Sequence, residues 1–250
     1  MKSNAEWKAW GKHDPLFAVS SWEGKGKTDA APWTDEEFYA LGEKDWADFK
    51  KRWNAYGLSL GHCLEIGCGA GRITRQLAVD FERVTALDVS EDQIAYAKSR
   101  IASQNVQFCV TNGTEIPVPD ASVDAVFSCH VFQHFDTFTD AEKVFAEIVA
   151  KMRPGASLCI HLPVFHLPQS PVAPLMESLH QLSKLAGTIK ANLNRARGKL
   201  IMRGLWYGRD LLVTSLARLN LKDIEIHGFH LTSNHSWHDF VLARKGEPGS

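Results

Sequence analysis

Glu65, Gly67, Cys68, Gly69, Gly71 and Arg72 lie in one stretch, Leu64-Glu65-Ile66-Gly67-Cys68-Gly69-Ala70-Gly71-Arg72, with glycines at alternate positions. Glycine loses more conformational freedom on ordering than any other residue, so this spacing needs a cause. A tight turn needs positive φ, and a ligand lying against bare backbone needs the absence of Cβ. A carboxylate two residues ahead of the first glycine would repel a pyrophosphate; it suits a ligand with a cationic or hydrogen-donating portion. A second carboxylate, Asp88, closes the run 83–87. At the tip of a second strand it can accept both hydroxyls of a ribose. The two acids together describe an adenosine ligand without phosphates. Dinucleotide folds use G-x-G-x-x-G for the pyrophosphate, so the G-x-G-x-G spacing and Glu65 disfavour a nicotinamide oxidoreductase.

These residues need a frame. Residues 63–66 are apolar apart from Glu65, and Ile73 and Leu77 share one helical face beyond the glycines. That is strand, turn and helix over 72–80, whose N-terminus supplies free N–H groups and a positive dipole end. Ahead of it, Thr34-Asp35-Glu36-Glu37 is a capping box. Phe38, Leu41, Trp46, Phe49 and Trp53 then recur at helical spacing until Gly57. Downstream, strands are expected at 105–110, 123–129 and 156–162. Helices are expected after Ser90 and after Thr139, the latter stopped by Arg153-Pro154-Gly155. Strand and helix alternate, which gives a parallel sheet covered on both faces. Strands at 221–228 and 237–244, separated by a short loop, read as an antiparallel hairpin.

Several ordered motifs carry a resemblance. Glu65-x-Gly67-x-Gly69-x-Gly71 and Ala86-Leu87-Asp88-Val89-Ser90 are the first two. Asn112-Gly113-Thr114-Glu115-Ile116-Pro117 stands where Asp-x-x-x-Leu-Pro is usual. Val123-Asp124-Ala125-Val126-Phe127-Ser128, Gln133-His134-Phe135 and Met152-Arg153-Pro154-Gly155 follow in order. From about residue 60 to residue 163 the chain resembles the Rossmann-like (class I) S-adenosylmethionine-dependent methyltransferases. The resemblance implies an α/β, doubly wound, mostly parallel seven-stranded sheet with a reversed last strand and helices on both faces. It implies S-adenosylmethionine as cofactor and S-adenosylhomocysteine as product. The residues it assigns to the cofactor are Glu65, Gly67, Cys68, Gly69, Gly71, Arg72, Asp88, Val89, Asn112, Gly113, Thr114 and Cys129. Asn112 replaces the usual Asp, keeping an amide able to bond adenine while removing a charge.

Methyl transfer from a sulfonium asks the protein mainly for proximity and alignment. A hydroxyl acceptor also benefits from a base, and histidine is the usual group near neutral pH. His134 matches a position where the family commonly has histidine, and is the candidate; a purely structural role is the competing reading. His161 and His166 are in reserve. His227, His230, His235 and His238 gather near the final hairpin, but no carboxylate or cysteine spacing supports a metal, and none is expected.

Composition bounds the rest. The 250 residues carry 44% hydrophobic side chains, 23% charged ones and a net charge of -1. That balance gives no general attraction to nucleic acid or anionic membrane. No apolar run reaches transmembrane length, and the N-terminus lacks a signal-peptide core. Five cysteines, Cys63, Cys68, Cys109, Cys129 and Cys159, form no C-x-x-C, and their odd number suits a reducing compartment; a cytoplasmic location is expected. The expected organisation is an N-terminal arm and helix (1–57), a cofactor-binding core (58–163), a helical lid or substrate insertion (164–209), and a final helix, hairpin and tail (210–250). Residues 1–33 hold four tryptophans with poor periodicity, which reads as irregular structure with short helical turns, either packed on the domain or lying as a flap over the cleft. Between Glu177 and Asp210 the insertion has Lys184, Lys190, Arg195, Arg197, Lys199, Arg203 and Arg209 and no acid. The functional expectation is methyl transfer to a small or medium-sized acceptor, at oxygen, with an anionic acceptor group attracted by that segment. The competing readings are a nucleic-acid or protein methyltransferase and a cofactor-binding protein without catalysis. A monomer or homodimer is expected.

Overall fold

The computed structural model describes residues 1–165, 202 and 204–247. In chain order the strands are β1 (His62–Ile66), β2 (Arg83–Asp88), β3 (Val106–Val110), β4 (Val123–Ser128), β5 (Met152–His161), β6 (Val164–Phe165), β7 (Tyr207–Gly208), β8 (Leu221–His230) and β9 (Trp237–Lys245). Seven form one sheet in the order β3-β2-β1-β4-β5-β9-β8, and β6 pairs with β7 in a second. β1 to β5 are parallel, while β9 runs antiparallel to both β5 and β8. This is the expected α/β sheet with a reversed strand. The chain builds outward from β1 to β3, then returns to lay β4 on the other side of β1. That reversal opens a crevice at the carboxyl ends of β1 and β4, where ligands bind in open α/β sheets.

The helices are α1 (Lys2–His13), α2 (Pro15–Val19), α3 (Asp35–Tyr56), α4 (Thr74–Asp80), α5 (Glu91–Arg100), α6 (Phe138–Lys151) and α7 (Arg209–Arg218). α3 starts at the predicted capping box, with Thr34 and Glu37 reciprocally bonded, and ends at Gly57 with φ of 116°. Strand alternation sorts the core into two faces. Leu64, Val126 and Leu158 meet Phe145 and Ile148 of α6 and Leu212 and Leu216 of α7. Cys63, Phe127 and Cys159 meet Trp46, Phe49 and Trp53 of α3. Trp53 is fully buried and donates its indole N–H to Ser157 Oγ at 2.9 Å. That bond lets a large aromatic ring be buried without stranding its polar atom.

Three expectations change. The N-terminal segment is helical in α1 and α2, because Asp14 caps α2 from ahead of Pro15, Trp10 packs on Phe17 and Trp7 packs on His134 of the domain. α4 begins at Thr74, since residues 67–72 are consumed by the turn. β5 includes Arg153-Pro154-Gly155, which the sequence placed outside the strand. The ladder slips there: Val123 pairs with Met152 but Ala125 with Ser157, so proline falls in a bulge where no N–H is required. The expected insertion at 164–209 is bracketed by β6 and β7, and most of it, including His166, Arg195, Arg197 and Arg203, lies outside the described residues.

Candidate functional site

A cavity of about 340 Å³ lies at the carboxyl ends of β1, β2 and β4. One wall is the glycine turn. Gly67, Gly69 and Gly71 have φ of 72°, 53° and 83°, so all three need the left-handed region. A Cβ on Gly67 would stand 2.2 Å from Val131, and one on Gly69 would stand 2.4 Å from Val19 of α2. Four of the turn's N–H groups are engaged within the protein. Those of Gly67 and Cys68 donate to Leu87 O at 2.7 and 2.8 Å, and that of Gly71 donates to Cys68 O. Gly69 N–H donates to Asp88 Oδ2 at 2.9 Å. With these four amides engaged, the turn has few N–H groups to offer a pyrophosphate, which agrees with a ligand lacking phosphates.

Asp88 ends β2 on the cavity wall. Its other oxygen accepts from Ser90 N–H at 2.8 Å. Burial pushes its carboxyl pKa up while the backbone N–H groups oppose the shift. An ionised carboxylate has about four lone-pair sites, so two amide bonds leave room for ligand hydroxyls. Val89, Gly113 and Thr114 also line the cavity.

Glu65, Cys68, Gly71 and Asn112 are placed behind the wall rather than on it. Glu65 is buried on the α4 side of β1 and accepts from Thr74 Oγ1 at 2.6 Å. Burial raises its pKa to about 7. Cys68 is buried within the turn. Asn112 Oδ1 accepts from Thr114 N–H, Thr114 Oγ1 and Glu115 N–H, so its amide folds the loop instead of facing adenine.

Arg72 and Cys129 are on the wall. The Arg72 guanidinium pairs with Asp45 of α3 and reaches Cys129 Sγ at 3.9 Å. Asp45 in turn accepts from Ser233 Oγ, tying α3 to the β8–β9 turn. The short 3-10 turn Phe132–His134 holds His134 beside the cavity. Its ring lies against Trp7 of α1, centroids 4.5 Å apart, and its Nε2 is 3.0 Å from Gln133 Nε2. The amide nitrogen donates, so the Nε2 lone pair of His134 is engaged.

The sequence missed a histidine group that tertiary pairing creates. His130, His161 and His238 form a triangle with ring centroids 4.3, 5.1 and 5.0 Å apart. His130 follows β4 and His161 ends the paired β5, a signal available from the β4–β5 alternation. His238 arrives through β9. The hairpin histidines therefore do not cluster as expected: His227 bonds Glu225, and His230 bonds the His235 carbonyl. Cys129, His130 and His161 have ligand-type atoms within 4.8 Å of one another. Their chemistry opposes a cation. Both His161 nitrogens are engaged, burial lifts the Cys129 thiol to about 12, and the Arg72 guanidinium sits alongside.

The N-terminal segment completes the enclosure, with Met1, Asn4 and Trp7 at α1, Val19 of α2 and Trp22 beyond it on the wall. Asn4 Nδ2 donates to the Asn112 carbonyl at 2.6 Å. No helix among the described residues is long and apolar enough to cross a membrane.

Comparison with known proteins agrees with this geometry. A family model described as a methyltransferase domain matches residues 64–160. The chain is 31% identical over 104 residues to the O-methyltransferase cnsE of Penicillium expansum, 40% of this chain and 37% of that protein. It is 32% identical over 100 residues to a probable S-adenosylmethionine-dependent methyltransferase of Mycolicibacterium smegmatis, again 40% of this chain and 37% of that protein. The matched segment is thus well under half of either relative. A Haemonchus contortus phosphoethanolamine N-methyltransferase 2, solved with phosphomonomethylethanolamine and S-adenosylhomocysteine, shares the fold: TM-score 0.57 and 18% identity, over 86% of this chain and 58% of that one. The β1–turn–α4 unit and the Asp88 tip fall within the matched segment, so residues 64–160 match the methyltransferase domain family on a fold that the chain shares with solved methyltransferases.

Proposed function

We propose that the protein transfers a methyl group from S-adenosylmethionine to a small or medium-sized acceptor, at oxygen. The observation that carries this reading is the cavity in which a glycine turn with four of its amides engaged faces a carboxylate with spare lone pairs. That donor and acceptor set fits an adenosine bearing no phosphate. Asp88 would take the ribose hydroxyls, and the 111–116 loop would border the base. The bound cofactor would supply an already activated methyl group. The chain's own contribution is then to hold the two reactants in line and to exclude water. α1 and α2 cover the cavity, which supports the flap reading of the N-terminal segment. His134 borders the acceptor side, where we assign it a positioning role, since its Nε2 lone pair is already engaged. His161 has neither a free nitrogen nor a place on the wall, so it drops out as a base. Oxygen as the target atom is favoured by the O-methyltransferase relative. An anionic acceptor group is favoured by the run of basic residues between Glu177 and Asp210.

Asp88→Ala tests the reading. Hydrogen bonds to a charged group contribute about 1.5–3 kcal/mol each, so S-adenosylmethionine affinity should fall at least about tenfold in calorimetry, with the fold checked by circular dichroism. Unchanged affinity in a folded variant would sink the assignment. Incubation with methyl-labelled cofactor and cell extract, read by mass spectrometry, should yield a labelled small molecule. Tight cofactor binding with no labelled product from any source would favour a binding protein without catalysis.

A further inference from the structure

Two buried donors on the cavity wall have no hydrogen-bond partner among the described residues: Arg72 Nε and His238 Nε2. Arg72 is 3% exposed and His238 6% exposed. For arginine the donor role is certain, because the guanidinium keeps its protons. For His238 the role follows from a chain of bonds. The backbone N–H of His130 can only donate, and it lies 3.2 Å from His161 Nδ1. His161 Nδ1 is therefore an acceptor, and the proton of the neutral ring is on Nε2. That N–H points at His238 Nδ1, 3.1 Å away. His238 Nδ1 is an acceptor in turn, and its proton sits on Nε2. The residue that anchors the sequence of tautomers is His130, held at φ of 60°, a backbone conformation that costs energy outside glycine. Burial keeps His130 and His161 well below the ordinary histidine range, and His238 is lowered for the same reason. All three rings stay neutral, so the tautomers are fixed rather than averaged.

A buried donor left unpaired costs free energy, and two on one wall describe the complement of a missing acceptor. The Arg72–Asp45 pair cancels most of the local charge, so shape and donor direction define the partner. We infer that Arg72 and His238 form an oxygen-binding subsite that receives a carboxylate or carbonyl oxygen of a bound ligand. Such an oxygen is an anchor and not the attacking atom, because N–H donors withdraw electron density from the atom they bind. His238 consequently offers the cavity a proton and no lone pair; it is a positioning residue and not a base. The oxygen has two possible sources with the same chemistry: the carboxylate of the cofactor's amino-acid end, or a carboxylate on the methyl acceptor. The inference rests on reading the cavity as the cofactor and acceptor site.

The first test is independent of that reading. In full-length protein labelled with 15N-histidine, long-range proton–nitrogen NMR should show His161 and His238 both neutral with the proton on Nε2. A His238 proton on Nδ1 would overturn the subsite. The second test separates the sources, using wild type, His238→Leu and His238→Gln. Gln restores an N–H near the Nε2 position. If the cofactor supplies the oxygen, His238→Leu should weaken S-adenosylhomocysteine about tenfold and leave 5′-methylthioadenosine, which lacks the carboxylate, unchanged; Gln should recover part of the loss. If the acceptor supplies it, both nucleosides bind all variants alike. Millimolar acetate, added with and without S-adenosylhomocysteine, should then shift the wild-type His238 Nε2–H resonance. Equal nucleoside binding together with no acetate shift would overturn the subsite. Failure of wild type to bind either nucleoside would overturn the cofactor reading, and the acetate arm would still judge the subsite.

Discussion

At the scale of single residues, Glu65 shows how burial and function pull apart. Its carboxyl sits beneath the turn with one described partner, the Thr74 hydroxyl, and burial raises its pKa from 4.5 to about 7. The folded state then holds a proton that the unfolded state releases over that interval. Stability falls with pH wherever the native state binds more protons, so this group destabilises the fold increasingly from about pH 4.5 to about pH 7. The difference corresponds to about 3 kcal/mol at 1.36 kcal/mol per unit. Glu65→Gln removes the titration and keeps an oxygen for Thr74. The stability gap between variant and wild type, from urea unfolding without ligand, should move in the variant's favour by about 2–3 kcal/mol between pH 5 and pH 8. A gap that stays constant with pH would mean that Glu65 ionises as an ordinary surface acid. The sequence reading turned Glu65 toward the ligand, whereas its burial depends on α4, whose first residue supplies the partner.

At the scale of elements, the glycine turn is a packing joint as much as a ligand wall. Val19 of α2 presses on Gly69, and Ile101 beyond α5 presses on Gly71, where a Cβ would stand 2.5 Å away. Gly69→Ala should therefore cost two separable amounts. The left-handed backbone accounts for about 1–2 kcal/mol, and forced overlap with Val19 accounts for about 1–3 kcal/mol. Val19→Ala in the same chain should return the overlap part and leave the backbone part. A double-mutant cycle from urea unfolding should then show a coupling of about 1 kcal/mol or more. Simple additivity would mean that α2 shifts aside freely and is not part of the joint. The turn itself was legible: three glycines at spacing two, an apolar strand before and an amphipathic helix after leave few alternatives. The capping box at Thr34 and the stop at Gly57 were equally readable, because each is local chemistry. What was not legible is long-range. Nothing local says that Leu87 and Asp88 consume the turn's N–H groups, or that His161 pairs opposite Phe240 and so brings His238 beside it. The N-terminal helices were expected only as short turns for a related reason. α1 has no side-chain cap, and its buried positions are Ser3 and Gly11, so it carries almost no apolar signature of its own.

At the scale of the whole molecule, that weak signature becomes a statement about motion. The cavity is walled by the strand ends, by Asn234 and Ser236 of the hairpin turn, and by α1 and α2. The sheet and its large buried rings are poor candidates to move. α1 is different. It is held by Gly11 against Ser90 of the α5 cap, by Asn4 on the Asn112 carbonyl, by Lys2 N–H on Asp136 and by the Trp7–His134 contact. Its buried positions are Ser3 and Gly11, so it buries little apolar area, the profile of a segment that opens locally well below the global unfolding energy. If ligand exchange proceeds through local opening of α1, a ligand that touches α1 must oppose that opening. At about 100 times its dissociation constant, a ligand bound only to the closed form adds about 2.7 kcal/mol to the opening energy. Amide hydrogen exchange in α1 should accordingly slow by up to about 100-fold when S-adenosylhomocysteine is saturating. The edge strand β8 provides the internal control. Its residues 222–226 are largely exposed, lie off the cavity and open without disturbing it, so their exchange should not change. If α1 and β8 respond alike, the protection is global and α1 is not the gate. If α1 exchanges as fast with the ligand as without it, while calorimetry reports the ligand bound, the N-terminal helices are packing on the domain and the cavity opens elsewhere.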